Sequence, residues 1–116
     1  MQTVFIAFTL KNSSVAEFFV SLANKLSKTH HVIIFTYATE AHDLLLDESI
    51  SILEWPSRRP TKFADFRFLV KNIREYKPKI LIASFGAVNL FILAGFLMGV
   101  KHRVAWVSYL DKSIRI

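Results

Sequence analysis

The sequence has no cysteine and only three glycines in 116 residues. Without thiols, no disulfide or thiolate chemistry can operate, and a reducing compartment is compatible with the chain. No G-x-G-x-x-G follows the first apolar run, and no G-x-x-x-x-G-K-[ST] occurs anywhere, which disfavours ordinary dinucleotide or P-loop binding. Met1-Gln2-Thr3-Val4-Phe5 offers no basic segment ahead of an apolar run, so no secretory signal is expected and a cytoplasmic location is the default. His30, His31, His42 and His102 have no metal-ligand spacing beyond the adjacent pair, so no metal and no cofactor are expected. Asp43, Asp47 and Glu48 read as surface acids rather than a catalytic set. Internal repeats and low-complexity stretches are lacking too.

Apolar residues are plentiful. They make up 53% of the chain, with 11 phenylalanines, enough for one packed core and too many for a disordered segment. The length is that of a single domain over residues 1–116. Fifteen Lys and Arg against nine Asp and Glu give a formal charge of +6. That balance favours polyanions, either nucleic acid or an anionic membrane surface, and says nothing about fold.

The apolar pattern switches period repeatedly. Thr3 to Phe8 is a continuous β-rich run, as in a strand buried on both faces. After Lys11-Asn12-Ser13-Ser14, the positions Val15, Phe18, Phe19, Leu22, Ala23 and Leu26 fall three and four apart, one stripe of an amphipathic helix. Ser13 or Ser14 is its N-cap, and Glu17 has the capping-box spacing from Ser14. Strands are then expected at 31–37, 50–55, 79–84 and 104–108. Helices are expected at 39–46, 61–76 (Phe66, Leu69, Val70 and Ile73 inward) and 88–98, with Pro78 and Gly99 as stops. Alternating strands and helices imply a Rossmann-like, doubly wound parallel sheet of about five strands in the order 3-2-1-4-5, with helices on both faces. A competing reading exists, since residues 80–100 carry no charge and about 20 such residues can span a bilayer. Against it, Ser84, Gly86 and Asn89 cluster where a strand-to-helix turn would fall, and four other strands need a partner sheet.

In open parallel sheets, ligands bind at the carboxyl ends of strands beside the point where strand order reverses. Here that selects Asn12, Ser13 and Ser14; Ser84, Phe85, Gly86 and Asn89; and Ser108 and Tyr109. The first two groups also open helices, whose N–H groups favour anions. The alternative is that Ser13 and Ser14 only cap a helix and Gly86 only turns the chain.

Arg58, Arg59, Lys62, Arg67, Lys71 and Arg74 lie in or just before the third expected helix, interleaved with Phe63, Phe66 and Phe68. Phe68 falls away from the apolar stripe, beside Lys71. A basic helix with an exposed aromatic suits an anionic membrane interface. The alternative is a solvated charged face with Phe68 packed on a neighbour. No nucleic-acid-binding motif accompanies the charge, so nucleic acid is not expected as a partner.

Several segments, in order, resemble the N-terminal domain of GT-B-fold glycosyltransferases of retaining family 4. They are Ser21-Leu22-Ala23-Asn24-Lys25-Leu26-Ser27-Lys28 running into His31-Val32, then Lys77-Pro78-Lys79 through Gly86, Val88-Asn89-Leu90, and Gly99-Val100 through Trp106. The resemblance implies a domain that holds a sugar or lipid-linked sugar acceptor in cell-surface polysaccharide or glycolipid synthesis. A nucleotide-sugar donor would sit on a second, C-terminal domain, which these 116 residues do not include, or on a partner chain. It also implies attachment to the inner face of a membrane through basic, aromatic surface. The chain departs from the family in two places. Asn12-Ser13-Ser14 replaces the glycines that approach the donor diphosphate, and Ser108-Tyr109 stands where many members carry a histidine. A noncatalytic, membrane-recruiting subunit of the same fold is the second reading. A flavodoxin-like module binding flavin or phosphate is the third.

Overall fold

The computed structural model describes residues 2–8, 14–36, 46–56, 63–84, 88–100, 102–107 and 112–115. Their elements run β1 (Gln2–Ala7), α1 (Ser14–Leu26), β2 (His30–Thr36), β3 (Ser51–Glu54), α2 (Phe63–Tyr76), β4 (Ile80–Ser84), α3 (Val88–Leu97), β5 (His102–Val107) and β6 (Lys112–Arg115). The expected short helix at 39–46 falls almost wholly outside the described residues, though Leu46 packs on the core.

The sheet order is β3-β2-β1-β4-β5-β6. The first five strands are parallel, in the expected 3-2-1-4-5 arrangement. The sixth was not foreseen. Lys112–Arg115 pairs antiparallel with β5, Val107 opposite Lys112 and Val104 opposite Arg115. Four residues with one apolar position carry no periodic signal, and only the free edge of β5 gives them a partner.

The unbroken apolar runs sit where both sheet faces are covered. Val4 to Ala7 and Val32 to Phe35 are wholly buried, as central parallel strands require. Alternation along them feeds two cores. Val4, Ile6, Val32 and Ile34 face α1 through Ala16, Phe19, Val20 and Ala23. Phe5, Ala7, Ile33, Phe35, Leu81 and Ala83 face α2 and α3 through Leu69, Ile73, Phe91 and Ala94. Phe35 anchors the second core, with ring centroids 5.2 Å from Trp55, 5.9 Å from Phe68 and 5.8 Å from Phe91. Such pairs add about 0.5–1.5 kcal/mol each beyond their buried area.

The competing span does not hold at this level, and two expectations change. The uncharged stretch 80–100 is divided between β4 and α3, and among the described residues no helix is long and apolar enough to cross a membrane. The stripe of α1 is rotated from the expected one. Ala16 and Val20 turn inward while Phe18 is 47% exposed. An apolar-rich helix offers two overlapping stripes, and the sheet selects the one whose small residues, Ala16 and Ala23, permit close approach. Likewise α2 buries Asp65, Leu69, Asn72 and Ile73, leaving Phe66 and Val70 half-buried.

Both α2 and α3 end in left-handed caps. Gly99 has φ 78° and the Val100 N–H donates to the Gly95 carbonyl at 2.8 Å, as its position in the sequence suggested. Lys77 does the same for α2 with φ 50°, its N–H donating to the Ile73 carbonyl at 2.8 Å.

Candidate functional site

The reversal of strand order falls between β1 and β4, the two strands that lie side by side in the middle of the sheet. Their register pairs Ala7 with Ala83, so both end at the same edge. The helix that follows β1 covers one face and the helix that follows β4 covers the other. The crevice that receives ligands in this class of sheet therefore opens beyond Ala7 and Ser84.

Ser14 is the first residue of α1, and Ser84 is the last of β4, in register with Trp106 of β5. Asn89 lies in the first turn of α3 and is exposed. These three fall on the elements that border the reversal point. Asn12, Ser13, Phe85, Gly86, Ser108 and Tyr109 lie outside the described residues.

The two helix starts differ electrostatically. The first turn of α1 carries Glu17, which offsets the partial positive charge there. The first turn of α3 carries no acid. An anion is favoured more strongly at the start of α3 than at the start of α1.

Behind the crevice, polar groups are tied to the fold. The Trp55 N–H donates to the Thr36 carbonyl at 2.9 Å, and the Phe8 N–H to the Phe35 carbonyl at 3.1 Å. Asn24, within the segment 21–28, braces the structure. Its Oδ1 accepts the Asp47 N–H at 2.8 Å and its carbonyl accepts Ser27 Oγ at 2.7 Å. Asp65 is completely buried in the first turn of α2 and engaged with a partner. The sequence reading missed it, although an acid at a helix start is the signal that marks it. Among the described residues no buried side-chain nitrogen or oxygen lacks a partner, and no group of three or more His, Asp or Glu is placed to hold a metal.

The basic helix needs one correction. Phe68 is not its exposed aromatic: it is half-buried against Phe35 and Trp55. Phe63, 73% exposed, takes that place, with the Arg67 guanidinium 6.0 Å from its ring. A residue five positions along the helix from Phe63 points away from it, so the stripe that buries Leu69 also draws in Phe68 and leaves Phe63 outside. Arg67, Lys71 and Arg74 are exposed on the outer side of α2, while Arg58, Arg59 and Lys62 lie outside the described residues.

No protein-family model matches this chain, and no curated protein does. Among solved structures it is similar to the enzyme WbmH of Bordetella bronchiseptica, determined in complex with NAD+, with a TM-score of 0.62 and 15% identity. The match covers 89% of this chain and 38% of that one, so the chain spans well under half the length of that enzyme. What the two share is a Rossmann-like α/β fold.

Proposed function

We propose that this chain is the acceptor-side domain of a GT-B-fold glycosyltransferase, acting in cell-surface polysaccharide or glycolipid synthesis on a sugar or lipid-linked sugar. The observation that carries the reading is the parallel order β3-β2-β1-β4-β5 with its reversal beside Ser14, Ser84 and Asn89. The order of the resembling segments supports it further. Asn24 ends up bracing α1, and Gly99 caps α3 on the way into β5. The nucleotide-sugar donor would bind a second domain, on a continuing chain or a partner, and the crevice would hold the acceptor hydroxyl. This domain alone then carries out no transfer. It would work in the cytoplasm, peripherally on the inner face of the membrane. The outer side of α2, with Phe63, Arg67, Lys71 and Arg74, supports that placement.

A noncatalytic, membrane-recruiting subunit of the same fold is the second reading. It is favoured by Leu93, Phe96 and Leu97, which are 52%, 68% and 61% exposed on α3. WbmH was determined with NAD+, but the residues that follow β1 in the sequence here, up to Ser14, include no glycine to let a diphosphate approach the backbone.

The coding sequence past codon 116 is the first test. A frame that continues into a second βα series with paired glutamates, and a joined protein that transfers sugar from a nucleotide-sugar, are the expected results. A stop codon at that point favours the subunit reading. Saturable binding of NAD+ by the chain, followed by titration calorimetry, would sink both.

A further inference from the structure

The capped ends of α2 and α3 flank a groove of about 540 Å3 at the edge of the sheet opposite the crevice. Arg74, Lys77, Lys79 and His102 line it over an apolar floor that includes Ile73 and Val100. No carboxylate is among its described lining residues. Helix C-termini repel anions, but each contributes at most about half a negative charge. The caps also engage the Ile73 and Gly95 carbonyls, so the three full cations prevail. Lys77 is moreover held at φ 50°, where glycine is the unstrained choice. A side chain kept on a strained backbone at the wall of a groove points to use of that side chain.

Beside the groove, α3 presents an apolar ridge. Leu93, Phe96 and Leu97 project outward from a helix that has no charged residue on any side. A surface helix of that composition is normally covered. The Arg103 guanidinium, 5.5 Å from the Phe96 ring, extends the basic border along the ridge.

We propose that groove and ridge together form a seat for an anionic phospholipid surface. A lipid phosphate lies among Arg74, Lys77, Lys79 and His102, and Phe96 and Leu97 enter the interfacial layer. Charge complementarity selects this occupant. A free phosphate would use the cations and leave the ridge in water. A second copy covering the ridge would bring two like-charged grooves together. The inference rests on the peripheral-membrane part of the proposed function and needs no transferase activity, so the vesicle assay and the transfer assay can fail separately.

Co-sedimentation of the chain with vesicles tests it. Binding to phosphatidylcholine vesicles containing phosphatidylglycerol is expected, with none to phosphatidylcholine alone. Each groove cation removed should weaken binding about fivefold, so Lys77→Gly with Lys79→Gln should cost about 25-fold. Lys77→Gly also relieves the left-handed strain, so the fold should persist by circular dichroism. Phe96→Gln with Leu97→Gln should cost about tenfold or more. Arg67→Gln with Lys71→Gln, on the outer side of α2, should cost clearly less than the groove pair. Equal losses from the two cation pairs would overturn the groove in favour of diffuse charge. The proposal also fails if the unaltered chain ignores anionic vesicles, if inorganic phosphate alone shifts the Lys77 and Gly99 amides with the same affinity, or if Phe96→Gln dissolves a dimer seen by sedimentation.

Discussion

Asp47, in the turn before β3, shows how a few polar atoms set the chemistry of an exposed acid. Its carboxylate accepts the Ser49 hydroxyl at 2.7 Å and the Ser49 N–H at 2.9 Å. Both bonds favour the charged form, the hydroxyl most, and hold its pKa below the ordinary aspartate value with a smaller contribution from Lys28. Because the folded value is depressed, the stabilisation is present above the unfolded pKa of about 3.9. It is lost as pH falls through the folded value. Ser49→Ala should move the Asp47 carboxyl titration, followed by carbon-13 NMR, upward toward the ordinary value. An unchanged midpoint would mean that the hydroxyl bond has no such effect. The difference between Phe63 and Phe68 also arises at this scale: each is a phenylalanine beside basic residues, and only packing against Phe35 and Trp55 tells them apart.

Among the elements, α3 lies tight against the sheet at Gly95. A Cβ there would lie 2.7 Å from Leu81 Cδ1 and 2.9 Å from Arg103 Cδ. Leu81 is buried and has little room to yield. Gly95→Ala would gain about 1 kcal/mol in helix propensity and incur about 1–3 kcal/mol of overpacking. A net loss of up to about 2 kcal/mol in urea denaturation is expected from these opposing terms. Unchanged or raised stability would show that α3 can lift off the sheet at little cost. The boundaries of α3 were legible in the sequence, since Gly99 marks its end. Its outward face was not, because a helix apolar on every side gives no hint of which side meets the sheet.

For the whole molecule, the layered arrangement predicts where stability is concentrated. Val4 to Ala7 and Ile33 to Phe35 are buried on both faces and paired with a strand on both sides, β1 with β2 and β4, β2 with β1 and β3. Native-state hydrogen exchange should be slowest at these amides, approaching the global unfolding free energy, and much faster in β6 at the sheet edge. Comparable protection across all six strands would contradict two central strands bearing the core. The distribution of charge belongs to this scale too. Composition sets only the total of +6. The fold gathers Arg74, Lys77, Lys79 and His102 around one groove, although His102 is far from the others in the chain.

The sequence by itself determined the alternation of strands and helices, the five parallel strands and their order, and the ends marked by Pro78 and Gly99. These follow from local rules: the period of apolar residues, the conformations open to Gly and Pro, and the handedness of crossovers. Only the tertiary structure decided the rotation of α1 and α2 about their axes, the inward turn of Phe68, the burial of Asp65, the antiparallel β6 and the apolar ridge of α3. Each of these depends on which neighbour fills a given space, and a periodic pattern in one segment does not contain the shape of the segment packed against it.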